Sequence, residues 1–194
     1  MKIEVVAVTE NPVDVISRAA GTCYGKSDVS EERVRNCLKS GHMSVFEHAS
    51  ATLRIEGISR ACSHQLVRHR LASFCQESQR YCKYDLSGRD WYFTPLRMIN
   101  VREYEDHMRY CASRYMDAIE HGIKPEDARY LLPEATCTSV VLTMNVRELL
   151  HFIGTRPDGA DQWEIRGVAN GIESVLKSTG GQWRDLMTMF DETR

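Results

Sequence analysis

The sequence predicts an α+β fold, and three observations carry the prediction. Strand-like and helix-like segments are interspersed without the regular alternation that builds a parallel sheet. The hydrophobic period switches between two and three-to-four over short distances of chain. No stretch rich in Pro, Gly and Ser divides the 194 residues, so a single domain over 1–194 is expected, large enough to bury a core of its own.

The elements follow in chain order. Ile3 to Val8 is apolar and reads as a strand, and Asn11-Pro12 supplies a cap and a first-turn proline for a helix through Ala20. Ser30 starts a second helix, because Glu31 and Glu32 place negative charge beside its first-turn N–H groups, and Gly41 ends it. From Ala49 to Glu56 the pattern alternates, with Ala49, Ala51, Leu53 and Ile55 on one face and Ser50, Thr52, Arg54 and Glu56 on the other, which predicts a half-buried strand. Ser59 then caps a helix in which Ala61, Cys62, Leu66 and His69 share a face, with Arg68-His69-Arg70 at its end.

Asn100 to His121 is the longest periodic segment. Val101, Tyr104, Met108, Cys111, Tyr115, Ala118 and Ile119 recur by threes and fours, and Gly122 is the stop, so an amphipathic helix with a packing stripe is expected. Pro125 opens a short helix through Leu132, Pro133 breaks it, and Thr136 to Met144 is a strand of β-branched residues. Val146 to Ile153 and Asp161 to Lys177 are helices, the second with Ile165, Val168, Ile172 and Leu176 on one face, and Gly180-Gly181 precedes a last helix ending near Phe190.

Composition narrows the function classes. Lys and Arg number 25 against 27 Asp and Glu, a net charge of -2, so no global field draws nucleic acid or a membrane surface and any anion site is local. No run of about eighteen apolar residues offers a membrane span. The opening MKIEVVAVTENPVDV, with Glu4 and Glu10, lacks the basic head and apolar stretch of a secretory signal, and a cytoplasmic protein is expected. Cysteines at 23, 37, 62, 75, 82, 111 and 137 include no Cys-x-x-Cys pair, which favours reduced thiols over disulfides or zinc. Cys75 and Cys82 lie near the most polar segment, yet the sequence specifies no base beside either, so a thiolate nucleophile is the minor reading. His42, His48, His64 and His69 match no zinc signature and no metal is expected.

The segment richest in chemistry is QLVRHRLASFCQESQRY, Gln65 to Tyr81. It concentrates Arg68, His69, Arg70 and Arg80 beside Gln65, Gln76, Gln79, Ser73 and Ser78. Guanidinium groups grip phosphate bidentately, each charge-assisted hydrogen bond contributing about 1.5–3 kcal/mol when shielded from water. These residue types suit a phosphorylated small molecule; the alternative is a solvated basic helix end. Arg129, Arg147 and Arg156 stand near predicted element ends, either as surface charges or as parts of a site for two anionic ligands together.

Arg68-His69-Arg70 followed after seven residues by Ser78 is similar to the Arg-His-Arg and serine motif of the flavin-dependent thymidylate synthases. GHMSVFEH (41–48) resembles that family's Gly-His-x-x-x-Phe-Glu-His segment, and Arg80-Tyr81 its Arg-Tyr. TMNVRELLHF (143–152) resembles its Asn-x-Arg-x-Leu helix start, and TRPDGADQWEIR (155–166) its arginine followed by Gln-Trp-Glu-Ile. The blocks keep the family order over residues 41–166.

The resemblance implies a central mixed or antiparallel sheet flanked by helices, in a homotetramer whose active sites form at subunit interfaces. It implies reductive methylation of dUMP to dTMP, with methylenetetrahydrofolate as carbon donor, NADPH as reductant through FAD, and no cysteine nucleophile. Carried over by position, His42, Ser44, Glu47, Arg68, His69, Arg70, Asn145, Arg147 and His151 are expected at FAD. Gln65, Gln76, Ser78, Arg80 and Arg129 are expected at the phosphate and ribose of dUMP. Arg156 is expected at the uracil ring, where a permanent positive charge stabilises negative charge developing on the pyrimidine.

The chain departs from the pattern in three places. Cys75-Gln76 stands where many members have Asn-Glu, His151 where others often have Asn, and Gly159-Ala160-Asp161 where some have a histidine. Two rivals accompany this reading. A catalytically silent flavin- or nucleotide-binding paralogue would suit the Cys75-Gln76 departure. A nucleic-acid-binding module using Arg68, Arg70 and Arg80 with Phe74 and Tyr81 would bring steep salt dependence and a basic domain, which the slightly acidic charge opposes.

Overall fold

A computed structural model of the chain describes residues 1–88, 90–98, 100–156 and 161–194. Strands β1 (Lys2–Val8), β2 (Ser50–Ser59), β3 (Ser73–Gln76) and β4 (Cys137–Asn145) form one sheet in the order β1-β2-β4-β3. Every neighbouring pair is antiparallel. The alternation read over 49–56 is kept: Leu53 lies opposite Leu142 and Ile55 opposite Val140, all fully buried. Across the other face Thr52 meets Thr143, their hydroxyls 2.9 Å apart.

Helices α1 (Pro12–Thr22), α2 (Glu31–Lys39), α3 (Arg60–Leu66), α6 (Val146–Thr155), α7 (Trp163–Ser178) and α8 (Gly181–Asp191) bury their apolar stripes with the covered face of the sheet. Ile16, Leu66, Leu149, Ile165, Ile172 and Leu186 belong to this core. The stripe Ile165, Val168, Ile172 and Leu176 is wholly buried, as its spacing requires. A second, smaller core gathers Leu86, Trp91, Met108, Ala112, Tyr115 and Ala128 around α4 (Val101–Glu120) and α5 (Pro125–Ala128). Among the described residues no helix is long and apolar enough to cross a membrane.

Several expectations are corrected by local geometry. Asn11 does not cap α1 through its side chain; it sits in the left-handed region at φ 47, and its backbone carbonyl accepts from the Asp14 and Val15 N–H groups. The following Pro12 drives residue 11 out of the right-handed helical region, and asparagine tolerates the left-handed one. β2 runs past Glu56 to Ser59 through a bulge at Gly57, whose φ of +71 a glycine adopts without strain. The bulge resets the alternation and turns both Ile58 and Ser59 inward.

α3 ends at Leu66, so Arg68-His69-Arg70 lies in the turn beyond the helix, and Ala61 is exposed rather than on the buried face. The segment expected to be helical from Pro125 to Leu132 tightens into a 3-10 turn at Arg129–Leu131. β3 was not anticipated, because four residues are too few to display a period.

Candidate functional site

Two groups of expected site residues form. The first is organised by the start of α6. β4 ends at Asn145, whose side-chain oxygen accepts the Glu148 N–H at 3.0 Å, so strand passes directly into capped helix. Arg147 leaves that first turn and donates to Glu47 at 2.5 Å; Glu47 lies on the 3-10 turn Met43–His48, which also carries exposed Ser44 and is preceded by exposed His42. Both partners are nearly half exposed. A pair so solvated contributes at most about 1 kcal/mol, so an anionic ligand can take over Arg147 at little cost.

Behind this pair lies a buried layer. His69 and Glu148 are each 9% exposed in their side chains, with Nε2 of His69 3.4 Å from a Glu148 carboxylate oxygen. His151 lies beside His69, the ring centroids 5.7 Å apart, and Phe152 meets the His69 ring edge-on at 5.5 Å. Burial pushes the His69 pKa below its ordinary value; the Glu148 carboxylate opposes that, while His151 and Arg156 reinforce it.

Arg156 follows the last turn of α6, where a cation faces the negative end of the helix dipole. Its guanidinium lies 5.3 Å from the centre of the Phe152 ring, and one terminal nitrogen donates to Asp161 at 2.8 Å. The same Asp161 oxygen receives Gln65 at 3.4 Å. The Nε of Arg156 is buried without an acceptor among the described residues. Arg68 and Arg70 are exposed in the turn after α3, and among the described residues neither side chain has an ion-pair partner.

The second group surrounds Glu126. Arg80 donates to its carboxylate at 2.6 Å, Arg129 donates to its backbone carbonyl at 2.9 Å, and the Ser78 hydroxyl accepts the Arg80 N–H at 3.2 Å. Arg80 holds the Glu126 carboxyl below the usual carboxylate range and stands 5.2 Å from the centre of the Tyr81 ring. Arg129 also lines an adjoining cleft of about 390 Å³ together with Arg60, His64, Gln79, Tyr130 and Glu134. The two groups share no hydrogen bond or ion pair among the described residues.

Gln76 belongs to neither group. Alternation along β3 turns Phe74 and Gln76 to the covered face and leaves Cys75 exposed. The Gln76 amide therefore donates inward, to Ser63 at 2.8 Å and Thr138 at 3.2 Å. Gly159 and Ala160, where a histidine of the family pattern is missing, lie outside the described residues.

Four acids were not singled out in the sequence. Glu126 and Asp161 are the counter-charges of expected arginines, and no period announces such contacts. Glu148 stands three residues after the Asn145 cap, the spacing of a capping box, but its side chain turns inward to His69. Glu164 is 5% exposed and accepts both the N–H (2.7 Å) and the O–H (2.6 Å) of Ser59, whose hydroxyl in turn accepts the Cys62 N–H at 3.0 Å. Burial raises the thiol pKa of Cys62 to about 12 and of Cys137 to about 11. Among the described residues no group of three His, Cys, Asp or Glu side chains is placed to hold a metal ion.

The chain matches the model of a family described as thymidylate synthase complementing protein over residues 4–179. It is 40% identical over 193 residues to a flavin-dependent thymidylate synthase of Geobacter sulfurreducens, covering 91% of this chain and 82% of that one. It is likewise 40% identical to one of Pyrococcus furiosus, over 87% and 76% of the two chains. In structure it is similar to a UMP/dUMP methylase from Streptomyces cacaoi bound with 5-Br dUMP, with a TM-score of 0.80, 25% identity and coverage of 96% and 94%. A flavin-dependent thymidylate synthase of Helicobacter pylori complexed with FAD and dUMP shares the fold, with a TM-score of 0.81 over 100% and 99% of the chains at 21% identity.

Proposed function

The chain belongs to the family of flavin-dependent thymidylate synthases, and from that premise we propose that it methylates dUMP to dTMP with methylenetetrahydrofolate as carbon donor and NADPH as reductant. The FAD supplies reducing equivalents taken from NADPH. One catalytic domain over 1–194 carries the reaction, and active sites are completed between copies in a homotetramer in the cytoplasm. The two arginine groups, each incomplete as a grip on two anions, support this assembly.

The donor set fits the flavin. Among the described residues Arg68 and Arg70 offer guanidinium groups without carboxylate partners, and Arg147 is held by the solvated Glu47 at 2.5 Å and more loosely by Glu148 at 3.8 Å. These three, with His42, Ser44, His69, Asn145 and His151, would hold FAD through charge-assisted bonds to its phosphates and neutral bonds to its ring. Arg80, Ser78 and Arg129, with Gln65, would hold the phosphate and ribose of dUMP, and Gln76, whose amide N–H groups go inward to Ser63 and Thr138, would offer only its carbonyl oxygen.

Arg156 carries the chemical step at the uracil. Its buried Nε–H has no acceptor among the described residues, a cost that a ligand carbonyl at that point removes. That unspent donor is the observation that supports the assignment most. Asp161 and Phe152 hold the guanidinium in place before substrate arrives, so it stabilises charge on the ring without reorganising.

No cysteine attacks the uracil. Cys62 and Cys137 are held as thiols by burial, and Cys75 faces away from Gln76 on its strand. The purified protein is expected to be yellow, with an oxidised-flavin spectrum that bleaches anaerobically on adding NADPH. A colourless protein that FAD fails to reconstitute would contradict the proposal.

A further inference from the structure

We propose that Glu148 is a positioning residue that receives the Nε2–H of His69 and leaves Nδ1 of that ring as the acceptor offered to the ligand. The inference rests on the reading above only for the ligand being FAD. Its first support is the fold: the Asn145 cap fixes the backbone of Glu148 in the first turn of α6, and the side chain points inward.

A buried carboxylate is costly unless its oxygens meet donors. One oxygen of Glu148 lies 3.4 Å from His69 Nε2 and the other 3.8 Å from Arg147 Nε, so the group stands between two residues expected at the flavin. Among the described residues the buried Nε2 has no hydrogen bond as it stands, its one ion-pair contact being the Glu148 oxygen at 3.4 Å, so a small approach of the two side chains closes the bond, whereas Nδ1 bonds to no described residue. The charged and titratable groups facing the ring are Glu148, His151 and Arg156, with Phe152 against its edge. Burial, His151 and Arg156 all favour the neutral imidazole. A neutral ring has one proton, and a carboxylate at Nε2 fixes it there, which makes Nδ1 an acceptor for a ring N–H. The hydrogen bond at one nitrogen thus selects what the other can bind.

Glu148→Gln and Glu148→Ala test this in holoprotein labelled with 15N-histidine. The His69 resonances are assigned by their loss in His69→Asn, and FAD dissociation constants are measured by dialysis. The wild type should show the Nε2–H tautomer at pH 8. Glu148→Gln keeps an acceptor at Nε2 and should preserve the tautomer while lowering the His69 titration midpoint, because the opposing negative charge is gone. Glu148→Ala should mix the tautomers and weaken FAD binding about tenfold, by analogy with the low end of what losing an orienting partner costs a metal-ligating histidine. An unchanged His69 signature in both variants would overturn the proposal, as would a changed signature with unaltered FAD affinity. Failure of the wild type to bind FAD would instead refute the ligand assignment while the tautomer data decided the role of Glu148.

Discussion

Glu164→Ala should cut the link between α7 and the start of α3. The carboxylate is buried and takes two donors from Ser59, at 2.7 and 2.6 Å, and the Ser59 hydroxyl passes the order on to the Cys62 N–H. Alanine leaves both donors without an acceptor. At about 1.5–3 kcal/mol for each hydrogen bond to a charged group, the loss is about 3–6 kcal/mol, a large share of a stability of about 5–15 kcal/mol. Glu164→Gln keeps the shape and one carbonyl acceptor, while its amide N–H can donate to the hydroxyl, so it should lose only about 1–2 kcal/mol. Urea unfolding followed by circular dichroism reads both, as a lower midpoint with an unchanged slope. Because α3 delivers the turn carrying Arg68, His69 and Arg70, the alanine variant should also retain less flavin than the glutamine variant. A loss below about 1 kcal/mol for Glu164→Ala would refute the reasoning, since unpaired buried donors cost more than that.

Arg156→Ala should lower kcat about 100-fold or more while flavin content stays near normal, whereas Arg68→Ala should lower flavin retention; spectra and turnover together separate the two roles. Cys75→Ser should leave methyl transfer within about twofold of the wild type, because no thiolate is required, and loss of turnover with flavin intact would revive a nucleophilic cysteine. The pH dependence of stability should carry the mark of His69. Its folded pKa lies below the ordinary 6.5 through burial, so the unfolded chain takes up the proton first. Stability is therefore fully present above 6.5, falls as pH drops toward the folded value, and levels off beneath it. Thermal unfolding between pH 7.5 and 5 should show this slope, and His69→Asn should flatten it.

Periodicity carried the elements whose burial is long and regular. The stripe of α7 and the alternation of β2 were legible because helix and strand each repeat one geometric step many times. β3 was not, and neither was the Gly57 bulge, since each depends on pairing with distant residues. The arginines were legible as a family pattern, but their partners were not. Glu126 and Glu148 reach Arg80 and His69 across the fold, and Asp161 meets Arg156 from five residues along the chain, outside any helix or strand period, so neither kind of contact leaves a trace in spacing. The inward turn of Gln76 follows from its parity on β3, so the missing strand also hid the surroundings of that residue.

Release of tritium from dUMP labelled at C5 of the uracil tests the catalytic claim most directly. With FAD-loaded protein, NADPH and methylenetetrahydrofolate, tritium should enter water in step with dTMP, and omitting the folate should stop both. A protein that binds and reduces its flavin yet forms no dTMP with the complete set would contradict the account and leave a silent nucleotide-binding relative in its place.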